Sequence, residues 1–369
     1  MAAGFEMIFD KKVEPSETSN GGPQEGKSQQ GVTYDKSAIE QKLEATFGTK
    51  HLGLLGVGGL NRVSLVEYPS KFKILEVAMR YPTDAASKKF KKNVQKKLER
   101  SQDEYNLQLA LWWGGAQVCF PFDYQEVSIG DLTLPVSFQE VFGKPGRNAY
   151  SLLKIAGRLD AKLSLDIAVD LAEALCLLDD QGAVHRDIKP GNILFNEQAE
   201  AKLIDFGSFG FAGVPDEGYS IMGTPQYIDP FYNNTAMNLG RGNFDYSDQF
   251  QLLLVLYEFL EDRRPFNQNA QSANQCLHDM VNNVTTKDDE KNKNYLPPTA
   301  RDAKDTEMVK ALHPIFDRGF NFMGPDRHPS IHHLYDELMG VHEKYVVPYL
   351  DEVQASREEL AAKVFPRLR

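Results

Sequence analysis

The sequence predicts an α+β chain of two lobes, a small β-rich N-terminal lobe and a mostly helical C-terminal lobe with a cleft between them. Three observations carry this reading. Runs rich in Val, Leu and Gly between Leu52 and Phe142 have the length and punctuation of short strands. Two later stretches, Leu165 to Asp179 and Asp248 to Leu260, are apolar enough for buried helices. The pattern changes from one kind to the other after Gly146.

Taken in order, residues 1–33 form an arm almost devoid of large apolar side chains after Lys11, too polar to offset its ordering entropy. Residues 34–143 make the first lobe, beginning with a helical pattern through Ile39, Leu43 and Phe47. LGLLGVGGLNRVSLVEY, Leu52 to Tyr68, predicts two strands joined by a glycine turn, and Phe72 to Tyr81 a third. Lys88 to Leu111 has helical spacing, and Val118 to Phe122 and Leu134 to Phe142 complete the sheet. Residues 144–340 make the second lobe, with short strands at Ile193 to Phe195 and Ala201 to Ile204. The polar, Asn-rich stretch 267–298 predicts a surface insertion. Helical spacing resumes at Met308 to Phe316 and Ile331 to Leu338, and residues 341–369 form an amphipathic helical tail.

Lys plus Arg is 41 against Asp plus Glu at 52, a net charge of −11. Such an acidic chain lacks the basic field that nucleic-acid binding uses. No apolar run approaches the ~18 residues of a membrane span. The 3 cysteines include no CxxC pair, which argues against a disulfide framework or a cysteine zinc site and suits a cytoplasmic protein.

Chemistry concentrates in HRDIKPGN, His185 to Asn192, and in DFG beginning at Asp205. Three oxygen-bearing side chains on short loops result. Asn192 and Asp205 suit a hard cation such as Mg²⁺. Asp187 is placed to orient or deprotonate a hydroxyl, and Lys189 to meet a phosphate gaining charge. In-line positioning and charge neutralisation are nearly all that phosphoryl transfer requires.

These motifs resemble the catalytic and metal loops of eukaryotic-type protein kinases, over about residues 50–340 and in the right order. The resemblance implies a bilobal kinase fold that uses ATP and Mg²⁺ on a protein substrate. It makes Asp187 the base, Asn192 and Asp205 the metal ligands, and Lys189 the γ-phosphate lysine. Lys189 and the later GTPQY at 223–227 follow the serine/threonine pattern, in which Thr224 would meet Asp187 and Lys189. Asp248 would brace the catalytic loop, and Leu194 would floor the adenine. Arg186 would bind a phosphate on Ser208, Tyr219, Ser220 or Thr224.

In the N-lobe, GVGGLNRV at 56–63 stands against the family's GxGxxGxV. Gly56 and Gly58 would close over phosphates and Val63 would touch adenine; Asn61 replaces the third glycine. VAMR at 77–80 stands where the family has VAIK, so Ala78 would line the adenine pocket and Arg80 occupies the lysine position. The resemblance implies an acidic partner for it on the long helix, where Glu104 leads and Glu99 and Asp103 compete. Asp229 would replace the family's missing glutamate opposite Arg327. The competing reading is a pseudokinase that binds nucleotide or scaffolds a partner.

Overall fold

The computed structural model describes residues 36–57, 61–70, 74–82, 94–130, 132–143, 147–211, 224–229, 247–266, 296–321 and 326–367. The N-terminal arm, Gly58, Tyr219, Ser220, residues 267–295 of the expected insertion, and Lys71 and Lys73, the nearby lysines that could substitute for the one replaced by Arg80, lie outside them. The chain divides into two compact units, Met1–Glu99 with Phe122–Val141, and Arg100–Pro121 with Phe142–Arg369.

The first unit is built on a five-stranded sheet. Helix α1 (Lys36–Phe47) precedes strands β1 (Lys50–Val57), β2 (Asn61–Pro69) and β3 (Ile74–Pro82). Helix α2 (Val94–Trp113) follows, and the division between the units falls within it. Strands β4 (Pro121–Ile129) and β5 (Leu132–Gln139) complete the sheet in the order β1-β2-β3-β5-β4. β3 is central, and its alternation buries Val77 and Met79. Those side chains pack with Leu134, Val136, Phe138 and the α1 residues Ile39 and Leu43. The Phe47 and Phe138 rings meet edge to face at 4.9 Å.

One expected strand is corrected. Val118 makes only a single bridge, to Leu203, and the strand begins at Pro121. Val118 and Cys119 are buried, so their apolarity imitates a strand.

The second unit is mostly helical. It contains α3 (Ala149–Ala156), α4 (Ala161–Asp180), the two-residue strand β6 (Ala183–Val184), and the hairpin β7 (Ile193–Phe195) and β8 (Ala201–Leu203). Then come β9 (Gly210–Phe211), α5 (Ser247–Glu261), α6 (Thr306–Gly319), α7 (Ile331–Tyr345) and α8 (Leu350–Val364). Asp160 caps α4 by accepting the Leu163 N–H, and Asn148 caps α3 at Ser151.

Every residue of α5 is buried. Its polar side chains must therefore find partners inside the protein: Glu261 takes Arg158 and Thr299, whereas Asp248 and Gln251 bond the loop that carries the candidate site. Among the described residues no helix is long and apolar enough to cross a membrane.

Candidate active site

The loop from His185 to Asn192 hangs between α4 and β7, and α5 fixes its backbone. The Asp248 carboxylate accepts the N–H of His185 at 2.7 Å and that of Arg186 at 2.8 Å. One turn on, Gln251 Oε1 accepts the Ile188 N–H at 2.8 Å while its Nε2 donates to the Arg186 carbonyl at 3.0 Å. Burial drives the Asp248 carboxyl above the ordinary range, against the pull of His185 and Arg186. Arg186 has φ 69°, a conformation a non-glycine side chain keeps only when its surroundings over-determine it.

Sequence reasoning identified Asp248 and missed Gln251. The available signal was spacing, since three residues on in a helix lies on the same face. Gln251→Leu, which strips the Ile188 amide of its partner, is expected to lower stability by about 1–3 kcal/mol, read by urea unfolding.

Of the expected residues of this unit, Lys189, Asn192 and Thr224 converge on Asp187. Its Oδ2 accepts from Lys189 Nζ at 2.6 Å and from Asn192 Nδ2 at 3.1 Å. Its Oδ1 accepts the N–H and the hydroxyl of Thr224, each at 2.8 Å. Lys189 Nζ also donates to Thr224 Oγ1 at 2.5 Å. Asn192 Nδ2 donates as well to the Asp187 carbonyl at 2.8 Å. An amide nitrogen used this way turns the amide oxygen toward other partners, leaving it available to a cation.

Asp205 is brought alongside, because the Ile204 N–H donates to the Asn192 carbonyl at 2.9 Å. Its side chain is exposed and its backbone is left-handed, φ 63°. Leu194 lies on β7, between the fully buried Ile193 and Phe195 and turned away from them by the strand's alternation.

Two arginines hold the stretch after Asp205. Arg186 donates from Nε to the Ser208 carbonyl at 2.7 Å and from NH2 to that of Phe209 at 2.5 Å. Arg100 NH2 donates to the same Phe209 carbonyl at 2.9 Å. A Cβ on Gly210 would stand 2.5 Å from the Arg186 guanidinium carbon, so any larger residue there would push the guanidinium off its carbonyl partners. Arg186, expected to meet a phosphate, here grips backbone carbonyls.

On the first unit, Gly56 pairs with Val63 across β1 and β2, Val63 with Arg80, and Leu65 with Ala78. Ala78 is buried. Arg80 belongs to this unit, whereas Glu104, buried on α2, belongs to the other.

Below the Asp187 cluster, Asp229 takes Arg327 in a two-pronged pair at 2.6 and 2.8 Å, both side chains 1% exposed. The Tyr227 hydroxyl bonds both oxygens of Glu258 on α5, at 2.8 and 3.0 Å. Burial pushes the Glu258 carboxyl from its ordinary 4.5 up to about 7, although the Tyr227 hydrogen bonds pull it down. The folded protein therefore holds a proton there that the unfolded chain releases. The contribution of Glu258 to stability is fully present below pH ~4.5 and is lost as pH rises through ~7, by about 3 kcal/mol in all. Glu258→Gln is expected to flatten that slope in urea unfolding at pH 5 and 8; an unchanged slope would refute it.

The histidines near Arg327 bind protein groups. His328 Nε2 lies 3.1 Å from the Ile315 carbonyl, and His332 lies 3.3 Å from Asp180. Among the described residues no cluster of three or more His, Cys, Asp or Glu forms a metal cage. The Trp112 and Trp113 rings meet edge to face at the end of α2, where Trp112 also packs on Phe120.

Residues 145–314 match the family model described as the protein kinase domain. Over 124 residues the chain is 38% identical to the serine/threonine-protein kinase PknA of Mycobacterium tuberculosis, covering 33% of this chain and 27% of that protein. It is 28% identical over 226 residues to PksC of Streptomyces coelicolor, a serine/threonine-protein kinase, covering 60% and 37%. A probable serine/threonine-protein kinase PknB of Bifidobacterium longum is 30% identical over 145 residues, covering 38% and 20%. The chain thus matches well under half the length of these curated relatives.

Proposed function

The chain belongs to the eukaryotic-type serine/threonine protein kinase superfamily, and from that premise we propose that it transfers the γ-phosphoryl group of ATP to serine or threonine hydroxyls of a protein substrate, with Mg²⁺. The observation that carries the proposal is the cluster in which Lys189, Asn192 and Thr224 all donate to one carboxylate, Asp187. A carboxylate so held is aimed, and it already accepts a hydroxyl hydrogen, that of Thr224.

In the proposed reaction Asp187 takes the proton of the substrate hydroxyl as its oxygen bonds to the γ-phosphorus. The bond from that phosphorus to the β–γ bridging oxygen breaks, and ADP leaves with the electron pair. Lys189 offsets charge on the transferring oxygens. Asn192 and Asp205 would hold Mg²⁺, which neutralises phosphate charge when bound. Both fit the ion: the Asn192 amide nitrogen is engaged with Asp187, and the Asp205 carboxylate is exposed. Gly56, Gly58 and Val63 would cover the nucleotide, Ala78 and Leu194 would contact the base, and Arg80, with Glu104 as its partner, would neutralise the inner phosphates.

Arg80 is also the observation that favours a pseudokinase, because guanidinium is bulkier than the ammonium the family uses. Arg80→Met is expected to raise the KM for ATP about tenfold or more, the loss of a charge-assisted contact. An Arg80→Lys variant that transfers phosphate where the wild type does not would favour the scaffold. Mass spectrometry of the purified protein and a panel of substrates after incubation with Mg²⁺-ATP tests the proposal. Binding of ATP with no phosphate transfer to any of them would overturn it.

A further inference from the structure

The last helix lies beyond the stretch that matches the kinase domain, which ends at residue 314, yet it is built into the second unit's core. Val353, Leu360, Val364 and Phe365 are buried. Arg357 reaches in two directions, donating to Asp166 Oδ2 on α4 at 2.6 Å and to the Ala199 carbonyl at 2.5 Å. Ala199 sits in the turn between β7 and β8 with φ 58°, a conformation that needs outside support.

A second contact lies at the helix end. The Arg147 guanidinium stands over the Phe365 ring, 4.5 Å from its centre. Arg147 is only 3% exposed. Its NH1 is 3.0 Å from Glu197 Oε1 but off the line of a hydrogen bond, and neither NH1 nor Nε finds an acceptor among the described residues. A buried cation with so few acceptors leans on the negative face of the ring.

The Arg147 backbone is what makes this consequential. Its carbonyl accepts the Phe195 N–H at 2.8 Å, and Asn148 bridges Leu194. Just upstream, Gly143 passes so close to β7 that a Cβ there would stand 2.3 Å from the Phe195 carbonyl oxygen. Strand β7 is thus flanked by β8 on one side and by Gly143, Arg147 and Asn148 on the other. The C-terminal helix grips both flanks, one through Arg357 and the other through Phe365.

We propose that α8 and its closing turn are a positioning element for the nucleotide: Phe365 and Arg357 hold Arg147 and the β7–β8 turn, fix Leu194 beneath the base, and so raise affinity for ATP. The proposal rests on the kinase reading for the role of Leu194. Neither residue touches the reacting atoms. Both act through the backbone they restrain.

The test uses the full chain, with Mg²⁺-ATP titrated by calorimetry and amide exchange followed at Phe195. Phe365→Leu keeps an apolar side chain and removes the ring, Phe365→Tyr keeps the ring, and Arg357→Met releases the second contact without touching the first. Phe365→Leu is expected to weaken Mg²⁺-ATP binding about tenfold, the size of one desolvated cation–π contact. It is also expected to speed exchange of the Phe195 amide while the amides of α5 stay protected. Phe365→Tyr should return both toward wild type, and Arg357→Met should weaken binding independently.

Unchanged exchange at Phe195 in Phe365→Leu would overturn the clamp. Faster exchange with unchanged ATP affinity would overturn its role at the site. Faster exchange in a protein whose wild type binds no ATP would instead overturn the nucleotide reading and leave the clamp supported.

Discussion

Asp187→Asn is expected to lower phosphoryl transfer by about two to four orders of magnitude, the range a positioned general base supplies, while leaving Mg²⁺-ATP affinity nearly intact. The structure makes the loss compound. Asp187 accepts from Lys189, Asn192, the Thr224 amide and the Thr224 hydroxyl, and every one of those partners is a donor. An asparagine there must turn its NH₂ toward one set of them. Facing Lys189 and Asn192 it opposes donors at 2.6 and 3.1 Å; facing Thr224 it opposes the backbone amide at 2.8 Å. Either way the base is lost and one of its positioning contacts breaks. Single-turnover transfer compared with ATP titration separates the two quantities, and a variant that transfers at the wild-type rate removes Asp187 as the base.

Asp229→Ala is expected to cost about 3–5 kcal/mol of stability, because it leaves the Arg327 charge buried without its carboxylate. Against a typical total of about 5–15 kcal/mol, that brings the folded state close to its limit. Arg327 is held on three sides, by both Asp229 oxygens, by the Asn321 carbonyl at 2.6 Å, and by the Phe250 ring 5.2 Å away on α5. A double variant, Asp229→Leu with Arg327→Met, removes both charges and is expected to recover much of the loss, since replacing a whole buried pair by apolar groups is often neutral. Urea unfolding of the two singles and the double closes the cycle. Additive losses would mean that the pair does not interact as drawn.

Which parts were legible in the sequence follows from the range of the forces involved. The central helices were readable because burial on all sides leaves an unbroken apolar signature, as in LLLVLYEFL. The Asp187 cluster was readable because HRDIKPGN fixes chemistry within a few residues. The pairing of Asp229 with Arg327 came from the kinase resemblance, which leaves one acidic residue where a glutamate is missing.

Other features had no local trace. β6 and β9 are two residues each, too short for any period, and exist because they pair with each other across the β7–β8 hairpin in sequence. α3, at eight residues, is shorter than the window in which helical spacing becomes distinct. Gln251 reads as an ordinary polar residue until the Ile188 amide is placed beside it. The meeting of Arg147 with Phe365 joins distant parts of the chain, and nothing in either neighbourhood announces it.

The grip of α5 on the His185–Asn192 loop has a thermodynamic consequence. With two amides on Asp248 and an amide and a carbonyl on Gln251, this loop surrenders its conformational freedom when the chain folds. A hydroxyl arriving at Asp187 meets a preorganised acceptor, so little rearrangement remains to slow the encounter.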